Sequence, residues 1–258
     1  MEEIHYLLGN DCNLDCDFCF WDQRLEDKPL EFKKKIIDQI ARTGIKKVTI
    51  SGGEPLTAGN FIEVLEYMHS KSMEIILHSN GLKINPGLAK KIALLVSRVS
   101  LALDGSSEEM ALKMRKNKGI LARTVFLIHV FHQLNVPVNV KTLVTKVNKD
   151  DILNIGALLN RLPISYWSLL EFTPVNKGRE NKERFYISRK EFDEITEKAR
   201  NAFPQMNIKS RIYGEASNQY CFIAADGKVY TYIQGKGDIL VGDLEKEELT
   251  QIIPRIEK

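Results

Sequence analysis

Short apolar runs alternate with amphipathic stretches over the first two thirds of the chain. Ile4–Leu8, Lys47–Ile50, Glu74–His78, Val99–Leu103, Pro137–Val144 and Tyr166–Phe172 read as strands, being brief, apolar and bounded by polar or glycine-containing segments. Helical periodicity fills the gaps between them. Phe32, Ile36 and Ile40 recur at i, i+4 and i+8 within Leu30–Thr43, with Glu31 and Lys35 as an i,i+4 pair and Gly44 as the stop. Phe61, Leu65 and Met68 stripe the next helix; Leu88–Val96, Ser106–Lys116 and Ile120–Leu134 follow, and Ile152, Ile155, Leu159 and Leu162 mark one more. Six strand–helix units with short connections predict an α/β fold with a parallel sheet and helices outside it. Eight units close a full barrel, so six predict a partial (β/α)6 TIM-like barrel.

The pattern changes after Pro174. Residues 1–174 are expected to form the barrel and residues 175–258 a small C-terminal α+β cap. Asn176–Arg184 is polar throughout and reads as a mobile connection. Ser188 with Glu191 three positions on forms a capping box, Ile187 and Phe192 can staple it, and the helix runs to about Phe203, before Pro204. Tyr220–Ile233 reads as a hairpin turning at Asp226-Gly227, and Glu245–Ile253 as a last short helix.

Composition narrows the classes. The chain has 258 residues, 43% hydrophobic, enough for one full-sized core. Charged residues make up 28% but nearly cancel, to a net +3, which gives no electrostatic case for nucleic acid or a membrane surface as partner. No apolar run approaches the roughly 18 residues that span a bilayer. Four cysteines and no apolar leader argue for a reduced, cytoplasmic setting.

Three of those cysteines crowd one stretch, Cys12-Asn13-Leu14-Asp15-Cys16-Asp17-Phe18-Cys19, directly after the first strand. α/β barrels place their chemistry at that end of a strand. A disulfide framework suits small secreted domains. Structural zinc sites usually pair two CxxC or Cys/His units, and only His5 lies nearby. An iron–sulfur cube normally takes four cysteine ligands, so three thiolates leave one iron open.

With the following Ser51-Gly52-Gly53-Glu54-Pro55-Leu56, the CxxxCxxC run resembles the radical S-adenosylmethionine (radical SAM) superfamily. The resemblance implies that Cys12, Cys16 and Cys19 hold a [4Fe–4S] cluster whose fourth iron binds SAM, with the aromatic Phe18 beside the last cysteine. It implies that the motif Gly52, Gly53, Glu54 and Pro55 meets the SAM amino group. Ser79 and Asn80 would contact SAM polar groups, and Arg115 its carboxylate. Asp104-Gly105 matches the usual fourth-strand ending, although Ala102 stands where many relatives carry a serine. A flavodoxin or ferredoxin is the expected electron donor. Reduction of SAM would give methionine and a 5′-deoxyadenosyl radical that abstracts hydrogen from an unactivated carbon.

Cys221, Asp226-Gly227 and the stretch Ile239–Leu244 look like a SPASM or twitch extension. Thr231-Tyr232 stands where a second cysteine is usual, so a degenerate extension without metal is expected, with Cys221 a small buried hydrophobe. His5 and His69 have no acidic or thiol partner in sequence, and His129 and His132 belong to an apolar helix; His78 alone borders the rim. Lys47, Ser51, His78, Lys141 and Glu171 are the substrate-contact candidates, because charged groups inside a barrel need a reason. The substrate is expected to be a small molecule, nucleotide-like or otherwise. Ribosomal-peptide modification and a viperin-like nucleotide triphosphate dehydratase are alternatives, and so is a non-catalytic metal-binding scaffold. For the viperin reading, Lys47 and Ser51 match. Against it, Asn139 and Lys141 are exchanged and Tyr166 and Ser168 replace basic residues.

Overall fold

The computed structural model describes residues 1–20, 28–212, 221–233 and 237–257. Six strands form in the expected places: β1 (Glu3–Gly9), β2 (Lys47–Gly52), β3 (Glu74–Ser79), β4 (Arg98–Ala102), β5 (Val138–Val144) and β6 (Tyr166–Glu171). They lie side by side in chain order, all parallel. The helices between them are α1 (Leu30–Arg42), α2 (Phe61–Ser70), α3 (Pro86–Ala93), α4 (Glu108–Arg115), α5 (Ile120–Gln133) and α6 (Ile152–Leu159).

Beyond residue 174 the chain feeds both edges of the same sheet. Two short helices, α7 (Asn176–Glu180) and α8 (Lys182–Phe185), replace the expected mobile connection. The capping box of Ser188 and Glu191 opens α9 (Arg189–Ala202). The chain then adds a seventh parallel strand, β7 (Ile208–Arg211), against β6. Its sequence, Ile-Lys-Ser-Arg, carries no apolar run, so periodicity gives no sign of it. At the other edge β8 (Cys221–Ile223) lies parallel to β1, and β9 (Lys228–Ile233) and β10 (Gly237–Asp243) continue antiparallel. Tyr220, where the predicted hairpin starts, lies outside the described residues. The last helix, α10 (Leu249–Ile256), begins later than expected because Glu248 and Gln251 form its capping box.

The sheet is open: its outer strands, β10 and β7, do not pair with each other. It is nevertheless curled. On a flat sheet β1 and β7 would stand roughly 29 Å apart at about 4.8 Å per strand, yet the Arg211 charge on β7 acts on His5 of β1. One face is apolar: Ile4, Tyr6 and Leu8, Val48 and Ile50, Ile75 and Leu77, Val99 and Leu101, Val138 and Val140, and Trp167 and Leu169 form the main core with the helices. Period-two alternation turns His5, Thr49, His78, Ser100, Asn139, Lys141 and Ser168 to the opposite, concave face. Parallel strands buried on both faces are apolar throughout. These are not, and a polar concave face is where chemistry has room.

Candidate active site

The cysteine loop leaves the C-terminal end of β1 and is bolted to the end of β2. Gly53 donates its amide to Gly9 O at 3.1 Å and Glu54 to Asp11 O at 2.8 Å. That approach needs glycine. A Cβ on Gly52 would sit 2.4 Å from Gly9 O, and one on Gly53 2.3 Å from Asp11 O. Gly52 also adopts φ of +144°, which other residues rarely take. The Gly-Gly pair therefore sets the position of the cysteines as much as it exposes backbone to a ligand.

The opposite side of the loop is held by α7 and α8. Gly178 donates its amide to Cys19 O at 3.2 Å, Lys177 pairs with Asp15, and Arg184 Nη1 meets Asp17 Oδ2 at 2.7 Å. Underneath, Phe18 meets Phe185 edge-on at 5.6 Å, and Phe172 packs on Phe185 in turn.

Within the loop, Cys16 is buried while Cys12 and Cys19 are partly exposed. Burial pushes the Cys12 thiol up to about 11, against the amide of Leu14, which reaches its Sγ at 3.4 Å. Burial also raises Cys16, opposed by the nearby Arg115 guanidinium. Thiolates in such a place require a cation, which a metal centre supplies. The three sulfur donors of one short loop, Cys12, Cys16 and Cys19, are the ligand type an iron–sulfur cluster takes.

Glu54, 1% exposed, ties the ends of β2 and β3 together. It accepts from Ser79 Oγ at 2.8 Å, Asn80 N at 2.7 Å and Leu56 N at 3.3 Å. Burial lifts its pKa in spite of these donors. Asn80 Nδ2 reaches back to Asn13 Oδ1 at 2.8 Å, which closes the ring of cysteine loop, β2 end and β3 end. Pro55 opens a buried 3₁₀ turn, Pro55–Thr57. From the end of β4, Asp104 holds Arg115 Nε at 2.5 Å and accepts the Leu143 amide at 2.7 Å. Arg115 stacks on Phe18 at 5.0 Å and points Nη1 at Cys16 Sγ, 3.9 Å away.

The concave face carries a second cluster. Lys141 Nζ lies 2.9 Å from His78 Nε2 and 3.1 Å from Nδ1. Its strand β5 is two removed from β3, and small Ser100 and Ala102 on the intervening β4 leave the space. Burial brings Lys141 down to about 7, helped by Arg211; it also lowers His78, next to Lys141, His5 and Arg211. His5 falls to about 4, chiefly by burial, with Glu3 opposing. Glu3 itself accepts from Thr49 Oγ1 at 2.5 Å and Lys47 Nζ at 3.0 Å.

A model of the radical SAM superfamily matches residues 6–159, well over half the chain, and spans the cysteine loop, the Gly-Gly joint and the end of β3. The chain belongs to the radical SAM superfamily. It is thus an enzyme whose cofactors are a [4Fe–4S] cluster and SAM, and the three thiols with the ring of backbone around them fit that pair. This radical SAM chain is 25% identical to an AdoMet-dependent heme synthase of Methanosarcina barkeri, over 96% of its own length and 81% of the relative's. It is also 25% identical to an S-adenosylmethionine-dependent nucleotide dehydratase of Lacinutrix mariniflava, covering 73% of this chain but 42% of that protein. Among solved structures, Streptococcus suis SuiB bound to precursor peptide SuiA superposes with a TM-score of 0.81 at 14% identity, over 98% of this chain and 64% of SuiB. The anSMEcpe enzyme with bound AdoMet and a Kp18Cys peptide gives 0.75 at 17%, over 97% and 79%. At such identity these two attest the partial-barrel fold.

The residues singled out from the radical SAM sequence divide by place. Cys12, Cys16, Cys19, Phe18, Gly52, Gly53, Glu54, Ser79, Asn80 and Arg115 gather at the C-terminal ends of β1–β4. Ser51, His78 and Lys141 fall on the concave face beneath them. Lys47 does not join them: it starts β2, at the far end from the cysteines, and pairs with Glu3. Glu171 shares a strand face with Trp167 and Leu169, away from Lys141. His5 proves to have an acidic neighbour, Glu3 Oε1 at 3.6 Å, two residues back on the same face. Arg211 and the α7–α8 clamp carried no signal that a sequence without register displays. At the opposite edge Cys221 is fully buried on β8, its thiol pushed up to about 12 by burial alone, beside a buried Thr231.

Proposed function

We propose that this enzyme reductively cleaves SAM and abstracts hydrogen from a small polar molecule, nucleotide-like in character, seated on the concave face. The ring formed by the cysteine loop, Gly52–Glu54 and Ser79–Asn80 is the observation that carries the reading. It puts three thiols and a close-approaching backbone at the strand ends, directly above a polar floor.

When bound, the cluster and SAM supply a 5′-deoxyadenosyl radical for hydrogen abstraction. The chain supplies the rest. Cys12, Cys16 and Cys19 hold the cluster. The backbone of Gly52 and Gly53, with Ser79 and Asn80, orients the SAM amino and polar groups. Arg115, already fixed by Asp104, keeps a guanidinium edge for the SAM carboxylate, where a planar fork is well suited. Phe18 and Phe185 close the side of the site and keep water from it. Residues 175–258 serve as a cap on the barrel, residues 1–174. The setting is cytoplasmic, with a flavodoxin or ferredoxin as donor.

A deuterium-transfer screen decides among substrates. The true substrate passes its label into 5′-deoxyadenosine, and the reading fails if nucleotides and other small metabolites transfer none while a peptide does.

A further inference from the structure

The floor of the concave face gathers basic side chains that no described carboxylate pairs with directly. Lys141 Nζ and the His78 ring are within hydrogen-bonding distance of each other, and Arg211 on β7 acts on both. The carboxylate whose charge reaches Lys141 is Glu3, and it is already engaged by Lys47, Thr49 and His5. Among the described residues, no carboxylate forms an ion pair with Lys141 or Arg211. Burial keeps His78 neutral and brings Lys141 down to about 7, so an anion placed there would restore the charge that burial removes.

A second observation is independent of charge. Asn139, two residues before Lys141 on the same face of β5, is fully buried. Its Oδ1 accepts from Ser100 Oγ at 2.7 Å, but its Nδ2 has no partner. A buried, unmet N–H donor is rare and costly. Asn139 and Lys141 thus put a neutral and a basic donor on the same face of β5, and both suit an acceptor-only ligand.

We infer that this floor is an oxyanion subsite, where a phosphate or carboxylate group of the substrate sits on Lys141 and His78, with Arg211 at its rim and Asn139 Nδ2 below. This inference rests on the radical SAM reading only for what the anion is attached to; the subsite itself does not require SAM chemistry. Binding should draw a proton in. With Lys141 at about 7 in the empty floor, a bound anion favours its charged form, so affinity falls as pH rises through neutrality. Glu3 and His5 of β1, Lys47 of β2, His78 of β3 and Arg211 of β7 are the ionisable groups that surround it.

The test uses the anaerobically reconstituted protein without reductant, so that a failure of SAM cleavage cannot mask the result. Calorimetric titration with pyrophosphate, and separately with succinate, reads the two sources of oxyanion. One of them should bind at pH 6.5, with proton uptake visible as a dependence on buffer ionisation enthalpy. Lys141→Gln should weaken it by about tenfold or more, the scale of one charge-assisted hydrogen bond. Arg211→Gln, on an exposed edge residue, should weaken it less and serves if Lys141→Gln does not fold. Pyrophosphate binding identifies a phosphate-bearing substrate and succinate binding a carboxylate-bearing one. Failure of both to bind, or binding unchanged in both variants, overturns the subsite.

Discussion

Replacing Gly53 by alanine adds one methyl group, and that methyl has nowhere to go. Its Cβ would meet the Asp11 and Asn10 carbonyls at 2.3 Å and 2.6 Å, both of them backbone atoms that no rotamer change can move. Gly53→Ala should therefore cost about 1–3 kcal/mol, the usual range for overpacking, and should lower iron loading along with it. Denaturant unfolding and iron analysis check the two together. The histidines make a different claim. His5 at about 4 and His78 well below 6.5 are held neutral in the fold. An unfolded chain binds protons at both from pH 6.5 downward, so the folded state loses stability as pH falls from 6.5 toward 4. His5→Gln should flatten that slope in urea titrations taken across the range; an unchanged slope would mean that the histidine is not desolvated. Both effects depend on facts one step beyond composition. The cysteine spacing and the Gly-Gly-Glu-Pro segment are visible in the sequence because their residue types are chemically distinctive. That His5 faces Glu3, or that Glu171 turns toward the helices, follows only from strand register, which residue identity alone leaves open.

Among elements, the six strand–helix units are legible because each strand hides an apolar face against helices of clean 3.6 periodicity. The α7–α8 segment is not, since its buried content comes to Gly178 and Phe185 within an otherwise polar run. It reads as a connection, and yet it grips the cysteine loop. Its exposed ion pairs, Lys177 with Asp15 and Arg184 with Asp17, are worth about 0–1 kcal/mol each, so the grip resides in Phe185 between Phe18 and Phe172. Phe185→Ala should cost about 3–5 kcal/mol and speed amide hydrogen exchange in residues 12–20 more than in β4 or β5. Equal acceleration everywhere would show global destabilisation and no special tie to the loop. β7 escapes the sequence for the opposite reason. A four-residue edge strand needs no apolar pattern, because β6 supplies its hydrogen bonds, and with it the charge of Arg211 goes unseen.

At the scale of the whole molecule, the C-terminal segment extends the sheet at both ends: β7 lengthens one edge, and β8 to β10 cover β1 at the other. Cys221 lies inside that covering layer, packed with the main core. Cys221→Ala should leave the iron content at about four per chain, since one thiol cannot hold a second cluster. A drop toward zero, or a wild-type value near eight, would assign that thiol to a metal after all. The account as a whole rests on three protein-held corners and one corner left for SAM. Electron paramagnetic resonance of the reduced, reconstituted protein tests this most directly. Adding SAM should shift the cluster signal in the wild type, and Cys16→Ala should show no such cluster; a wild-type spectrum indifferent to SAM would contradict it.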